Sequence, residues 1–136
     1  MRKETITYAD YNGNELTEDF YFNFTKAEVM EMELSTAGGL AETIQKVVAA
    51  QDAPAIFKIF KELILKAYGE KSADGKRFVK SKEISEGFAQ TEAYSILVMK
   101  LATDADAAAD FVNGIVPEVP KEAQDQIQAK LNEAKN

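Results

Sequence analysis

The stretch Phe20-Tyr21-Phe22-Asn23-Phe24 constrains the fold more than any other part of this sequence. Its alternation is typical of a β-strand and places the three phenylalanines on one face. An earlier alternating run, Thr5-Ile6-Thr7-Tyr8, is separated from it by Asn12-Gly13, the dipeptide that most readily forms a type I′ turn. The sequence therefore predicts a β-hairpin over about residues 4–24, with an apolar face that later segments must cover.

Helical patterns begin directly after the hairpin. Thr25 and Glu28 match the capping box, which predicts a helix over about residues 26–35. Gly38-Gly39 has the composition of a helix C-cap, and apolar residues at helical spacing predict a second helix from residue 40 to about residue 50. A third helix is predicted from Asp52, its N-cap, with a wide apolar stripe that ends at Gly69.

The remaining pattern is a turn followed by shorter helices. Residues 72–75 predict a turn, and residues 76–80 predict a short extended piece or loop. A helix is predicted from Lys82 with Ser81 as its N-cap; Gly87 and the Gln90-Thr91 step leave open a break, after which Thr91 would cap a new helix. Asp104 is predicted to cap a further short helix that Asn113-Gly114 closes. The predicted fold class is α+β, a mainly α-helical domain with an N-terminal β-hairpin.

The domain boundary is predicted near two prolines. A chain of 136 residues fits one compact domain with a sizeable core. Pro117 and Pro120 separate the apolar patterns from a segment rich in Ala, Gln, Glu and Lys. We therefore predict a single globular domain over residues 1–117, followed by a polar peripheral helix or flexible tail over residues 118–136.

The composition excludes most kinds of site chemistry. The chain has no His and no Cys, so it lacks the commonest general base, a thiolate nucleophile and the usual zinc ligands. Its net charge of −7 opposes non-specific nucleic-acid binding, and no apolar run is long enough to span a membrane. The N-terminus lacks the apolar run of a signal peptide, which favours the cytosol. We expect no enzyme, no cofactor and no metal.

Two acidic clusters are candidates for a cation site or for a pair of catalytic carboxylates. Asp104, Asp106 and Asp110 fail the spacing of a calcium loop, and helix capping with acids in the first turns explains them. The other cluster, near residues 28–33, could supply paired carboxylates only if an apolar cleft raised one of their pKa values. A solvated helix face is the favoured interpretation for this cluster, which consists of Glu28, Glu31 and Glu33.

Charge is segregated along the chain. Residues 56–82 carry a net charge of +5, whereas the segments on either side each carry −6. Five of these cations surround Phe78 in the sequence. They have two interpretations: a docking loop for an acidic or amphipathic partner, or a solvated loop whose charge balances acidic helices. The residues predicted to contact a partner are Lys76, Arg77, Phe78 and Lys80; the other two cations of the group are Lys71 and Lys82. Core packing is favoured over an exposed surface for most of the helical aromatics, which are Phe57, Phe60, Tyr68, Phe88, Tyr94 and Phe111.

An ordered series of short motifs carries a family resemblance. The hairpin strands lead into Thr25-Lys26-Ala27-Glu28, and later come Lys66-Ala67-Tyr68-Gly69-Glu70-Lys71-Ser72, Asp74-Gly75-Lys76-Arg77-Phe78, Phe88-Ala89-Gln90-Thr91-Glu92-Ala93-Tyr94 and Phe111-Val112-Asn113-Gly114-Ile115-Val116-Pro117. In this order, over about residues 3–117, the chain resembles the tail assembly chaperones of long-tailed bacteriophages, particularly those of Gram-positive hosts. The motifs carry no chemistry, so their specificity lies in order and spacing.

The resemblance implies a non-enzymatic helper of virion morphogenesis. Such chaperones keep the helical tape measure protein soluble and help the tail tube protein assemble around it. They act in the cytoplasm of the infected host and are not expected in the mature virion. The implied partners are the tape measure protein, the tail tube protein and a longer frameshifted form of the same chain, of which this sequence looks like the short form. Several copies along a long client would agree with self-association or multivalent coating. The resemblance assigns no functional residue.

Two other classes stay open at this point. A structural tail or head–tail connector protein would be present at stoichiometric level in purified particles. A small carboxylate-based hydrolase would have a deep cleft with two convergent acids of perturbed pKa.

Overall fold

The computed structural model describes residues 1–35, 39, 49–50 and 52–117. Within them, five helices and an antiparallel sheet in the order β1-β2-β3-β4 confirm the predicted α+β class. The second helix predicted from the sequence, over residues 40–50, and the tail over residues 118–136 lie outside the described residues. The elements are β1 (Arg2–Ala9), β2 (Glu15–Phe22), α1 (Lys26–Ser35), α2 (Ala53–Ala67), β3 (Tyr68–Lys71), β4 (Phe78–Val79), α3 (Lys82–Ala89), α4 (Glu92–Thr103) and α5 (Ala105–Ile115).

The N-terminal hairpin is confirmed, but its predicted type I′ turn is wrong. The Asp10 carbonyl accepts from the Gly13 N–H, Gly13 has φ +82°, and the Asp10 N–H donates to the Asn14 carbonyl, which makes a three-residue loop. The Asp10 carboxylate also accepts from the N–H groups of Asn12 and Asn14, an arrangement that a two-residue turn cannot offer. Local side-chain hydrogen bonding therefore outweighs the preference of the Asn-Gly pair.

The turn determines which residues of β1 face the core. The observed loop pairs Glu4 with Phe20 and Ile6 with Glu18, so even-numbered residues of β1 share the phenylalanine face. A two-residue turn at positions 12 and 13 would shift the register by one and turn Thr5 and Thr7 inward instead. In the structure Ile6 is buried and both threonines are exposed.

The middle of the chain contains a β-strand that the sequence did not predict. Helix α2 ends at Ala67 and continues directly into β3, so Gly69 lies inside a strand and does not terminate the helix as expected. In β3, Tyr68 pairs with Phe22 and Gly69 pairs with Tyr21, which attaches this strand to the hairpin. A Cβ at Gly69 would lie 2.7 Å from Phe78 Cε2. Glycine is therefore required here because the Phe78 ring covers the strand.

The core lies between the phenylalanine face of the sheet and helices α2, α4 and α5. Phe22 and Phe111 are fully buried, with ring centroids 5.3 Å apart. Tyr68 and Phe88 stack at 4.3 Å between centroids and an angle of 14°. The expected packing of the helical aromatics is confirmed for the four buried ones, Phe60, Tyr68, Phe88 and Phe111.

The predicted helix starts are confirmed by side-chain caps. The Thr25 N–H donates to Glu28 and the Glu28 N–H donates back to Thr25 Oγ1, which completes the capping box. Each of the other predicted caps accepts from the N–H group three residues later, and these caps are Asp52, Ser81, Thr91 and Asp104. The predicted end of α5 is early, because the helix passes through Gly114 to Ile115. Arg2 crosses that last turn and donates to the Asp110 carbonyl.

Candidate functional site

The acidic residues of the described part of the chain do not converge on a metal site. No group of three His, Cys, Asp or Glu residues that could hold a metal ion occurs in that part of the chain. At Glu28, burial opposes ionisation, but hydrogen bonds from Lys80 and Thr25 outweigh it and lower the pKa of the carboxyl. A general acid needs a raised pKa, so Glu28 is poorly suited to that role.

Lys80, one of the four predicted contact residues, is engaged inside the molecule. Its Nζ donates to the Asn23 carbonyl at 2.7 Å and to Glu28 Oε2 at 2.8 Å. The same ammonium lies 4.8 Å from the centre of the Phe24 ring. These contacts join the segment after β4 to the start of α1, so the structure places Lys80 in an internal charge-assisted network.

Phe78 is also used internally. Its ring is half-buried and covers the backbone of Gly69, where added side-chain atoms would clash with it. The Lys80 ammonium lies 5.8 Å from the centre of this ring. Packing of β4 on β3 therefore accounts for Phe78 without a partner.

The other two predicted contact residues are at the surface of the β3–β4 turn. Ser72 Oγ donates to Asp74, and the N–H groups of Lys76 and Arg77 donate to Asp74 and to Ser72 Oγ. Gly75 completes the turn with φ +73°. The turn is thus held by its own backbone and short side chains, while the side chains of Lys76 and Arg77 are exposed and have no ion pair with the described residues. This pair of cations forms the basic turn.

A second surface is an apolar groove that the sequence did not indicate. It has a volume of about 360 Å³ and lies between the first half of α2, the hairpin loop and α4. Phe57 is 37% exposed and Met99 is 51% exposed, so large apolar side chains stay accessible on both walls. We call it the Phe57–Met99 groove; it is lined by Tyr11, Phe57, Lys61, Ala89, Gln90, Thr91, Glu92, Tyr94, Ser95, Val98 and Met99.

The groove combines apolar walls with a few polar groups. Lys61 Nζ lies 5.8 Å from the centre of the Phe57 ring at one side, and Glu92 lies at another. The Tyr94 hydroxyl is buried and has no hydrogen-bond partner among the described residues, and burial raises its pKa. Because this hydroxyl is buried, it is not accessible to a group that enters the groove. An apolar groove with few polar groups is the surface type that accepts an amphipathic helix.

A larger cleft lies between α1 and α3 and is lined by more charged residues. Its volume is about 580 Å³, with Met32 and Leu65 among its lining residues. Carboxylates of α1 and the ammonium groups of Lys66 and Lys82 also line it, so charges of both signs surround the apolar part. Five charged residues line this cleft and two line the Phe57–Met99 groove, so an apolar helix would bring fewer charges out of water in the groove.

Comparison with known proteins gives one match. A family model described as phage tail assembly chaperone matches residues 1–136 of the chain. Neither the curated proteins nor the solved structures contain a match. Among the described residues, no helix is long and apolar enough to cross a membrane.

Proposed function

The chain belongs to the phage tail assembly chaperone family, and from this we propose that it binds the tape measure protein of its phage. In this proposal it keeps the tape measure protein soluble in the host cytoplasm and promotes assembly of the tail tube around it. The family indicates a non-enzymatic role in tail assembly. The observation that carries the proposal is the family match over the full length.

The Phe57–Met99 groove supplies a physical means of binding such a client. A tape measure protein is long and helical, and an amphipathic helix exposes apolar residues at intervals of three and four. Apolar residues at this spacing can enter a groove walled by Phe57 and Met99. Covering these stripes would prevent the client helices from aggregating with one another.

The basic turn is the second contact in the proposal. Lys76 and Arg77 project from a turn that needs neither side chain for its own structure. Exposed cations on an acidic protein attract acidic partner segments and raise the association rate more than the final affinity. Of the four residues predicted from the sequence, these two are available for a client, whereas Phe78 packs over Gly69 and Lys80 is bound to Glu28 and the Asn23 carbonyl.

Co-expression with the tape measure protein tests the proposed function. We expect the client to be insoluble alone, soluble with this chain, and to co-elute with it on size exclusion. The longer frameshifted form and the tail tube protein are added in parallel, since both are proposed partners. A client that stays insoluble with either form of the chaperone, together with recovery of this chain at stoichiometric level in purified virions, would contradict the proposal and favour a structural tail protein.

A further inference from the structure

The outer edge of β1 has no strand paired with it among the described residues. Strand β1 is the first strand of the sheet, and among the described residues its backbone hydrogen bonds go to β2 alone. Asp10 and Asn14 are a hydrogen-bonded pair, and such pairs alternate along an antiparallel ladder. The N–H and C=O groups of the even-numbered residues of β1 therefore point toward β2. The odd-numbered groups therefore point away from the sheet. They belong to Lys3, Thr5, Thr7 and Ala9, all of which are exposed.

From Thr5 onward, this edge lacks the features that normally prevent edge-to-edge pairing. Natural edge strands are short, bulged, or carry proline or charges along their length. β1 has eight residues in continuous register with β2 and contains neither a proline nor a bulge. Its charged residues lie only at the start, so the run from Thr5 to Ala9 is uncharged. Such an edge is a template for an added strand.

The sequence of the edge is complementary to itself. In an antiparallel pair with a two-fold axis at Ile6, Thr5 lies opposite Thr7 of the second copy and Lys3 lies opposite Ala9, so every outward peptide group of β1 finds a partner. The same register brings Arg2 opposite Asp10, a pair of opposite charges. It also brings Met1 to Tyr11, and these two apolar side chains are 58% and 77% exposed.

We propose that two copies of this chain pair through the outer edge of β1, antiparallel and centred on Ile6, to form one continuous sheet. Moving the axis by one residue in either direction leaves fewer outward peptide groups paired and loses the opposition of Arg2 and Asp10. The interface is isologous and closes at two copies. It does not depend on the proposed function, because pairing through β1 needs no client; Tyr11 is the one residue that the pair shares with the Phe57–Met99 groove.

Two proline substitutions in the same hairpin test the proposal. Thr7 and Thr17 are cross-strand neighbours whose hydroxyls are 2.8 Å apart, so Thr7→Pro and Thr17→Pro lose the same side-chain hydrogen bond. Each also removes an N–H that points away from the other strand, which an edge position tolerates. Only Thr7→Pro removes a donor from the outer edge of β1, which makes Thr17→Pro its matched control.

The measurement is sedimentation of the full chain over a concentration series. We expect the wild type to reach twice the 15.0 kDa of one chain, Thr17→Pro to dimerise like it, and Thr7→Pro to dimerise at least about tenfold more weakly, since two symmetric interchain hydrogen bonds are lost. A wild type that stays monomeric at millimolar concentration, or equal weakening by both prolines, overturns the proposal. If only client binding responds to Thr7→Pro, the edge receives a client strand and the proposal is equally overturned.

A spin label gives a readout that does not depend on proline. The chain has no cysteine, so Thr5→Cys provides a single labelling site on the exposed face of β1. In the proposed register the two Thr5 positions are about 8 Å apart, from a strand spacing of about 5 Å and an offset of two residues. We expect dipolar broadening that disappears when unlabelled protein is added in excess. Dimers without broadening would mean that they form through another surface.

Discussion

Replacing Met99 with aspartate is expected to weaken binding of the tape measure protein about 30-fold or more. Met99 is half-exposed on a wall of the Phe57–Met99 groove, so a client helix would bury it. Because about half of Met99 is already covered, the substitution removes about 1 kcal/mol of further apolar burial. It also forces an unpaired carboxylate against the apolar stripe of the client. The measurement is the dissociation constant for a soluble helical segment of the tape measure protein.

Ile96 provides a matched control on the same helix. It is 43% exposed, close to the exposure of Met99, but it does not line the groove. Ile96→Asp should change the dissociation constant by no more than about threefold, and both variants should unfold within about 1 kcal/mol of the wild type, as surface substitutions normally do. Equal weakening by the two variants would show that the client does not use the groove.

Replacing Phe22 with alanine is expected to lower the free energy of unfolding by about 3–5 kcal/mol. The side chain is fully buried, and its ring centroid lies 5.3 Å from that of Phe111 and 5.6 Å from that of Tyr68. Phe22 packs the hairpin against helices that lie far from it in the sequence. A cavity at this position would therefore weaken the contact between the hairpin and the helices. Such a loss is a large share of the roughly 5–15 kcal/mol that stabilises an ordinary domain.

Denaturant unfolding of the purified variant measures this loss. Phe57→Ala is the control, since the same atoms are removed from a side chain that is partly exposed, and we expect it to cost less than about 1.5 kcal/mol. A Phe22→Ala variant that unfolds with the same midpoint as Phe57→Ala would contradict the described core.

Features that depend on neighbouring residues were predictable from the sequence. Each helix cap needs one side chain and an N–H group three residues away, so Thr25 with Glu28, Ser81 and Thr91 could be assigned without any knowledge of the tertiary fold. The alternation of Phe20, Phe22 and Phe24 identified the core face of the hairpin for the same reason, and Phe22 and Phe24 are buried.

Features that depend on competing local hydrogen bonds or on contacts between distant residues were not predictable from the sequence. Asn12-Gly13 favours a two-residue turn, but the Asp10 carboxylate can accept from two N–H groups only in the longer loop. The longer loop shifts the pairing of β1 with β2 by one residue. Strand β3 was missed because nothing local distinguishes its four residues from the end of a helix. Its pairing with Phe22 supplies the reason for a strand.

The candidate site shows the same limit. A cluster of cations around Phe78 is visible in the sequence, but the contact between Lys80 and Glu28, which lie far apart in the chain, shows which cation is already used. The Phe57–Met99 groove was missed because Tyr11, Phe57 and Met99 come from three separate elements. Its sequence signal is weak, since Phe57 belongs to an apolar stripe whose other members are mostly buried.

Photo-crosslinking from Phe57 in phage-producing cells tests whether the tape measure protein occupies the Phe57–Met99 groove. A photoreactive phenylalanine analogue at this position keeps the aromatic ring on the wall of the groove, and the same analogue at Ile96 serves as the control. We expect an adduct between this chain and the tape measure protein from position 57, and little or none from position 96. An absence of tape measure adducts at position 57, or equal adducts at both positions, would contradict it.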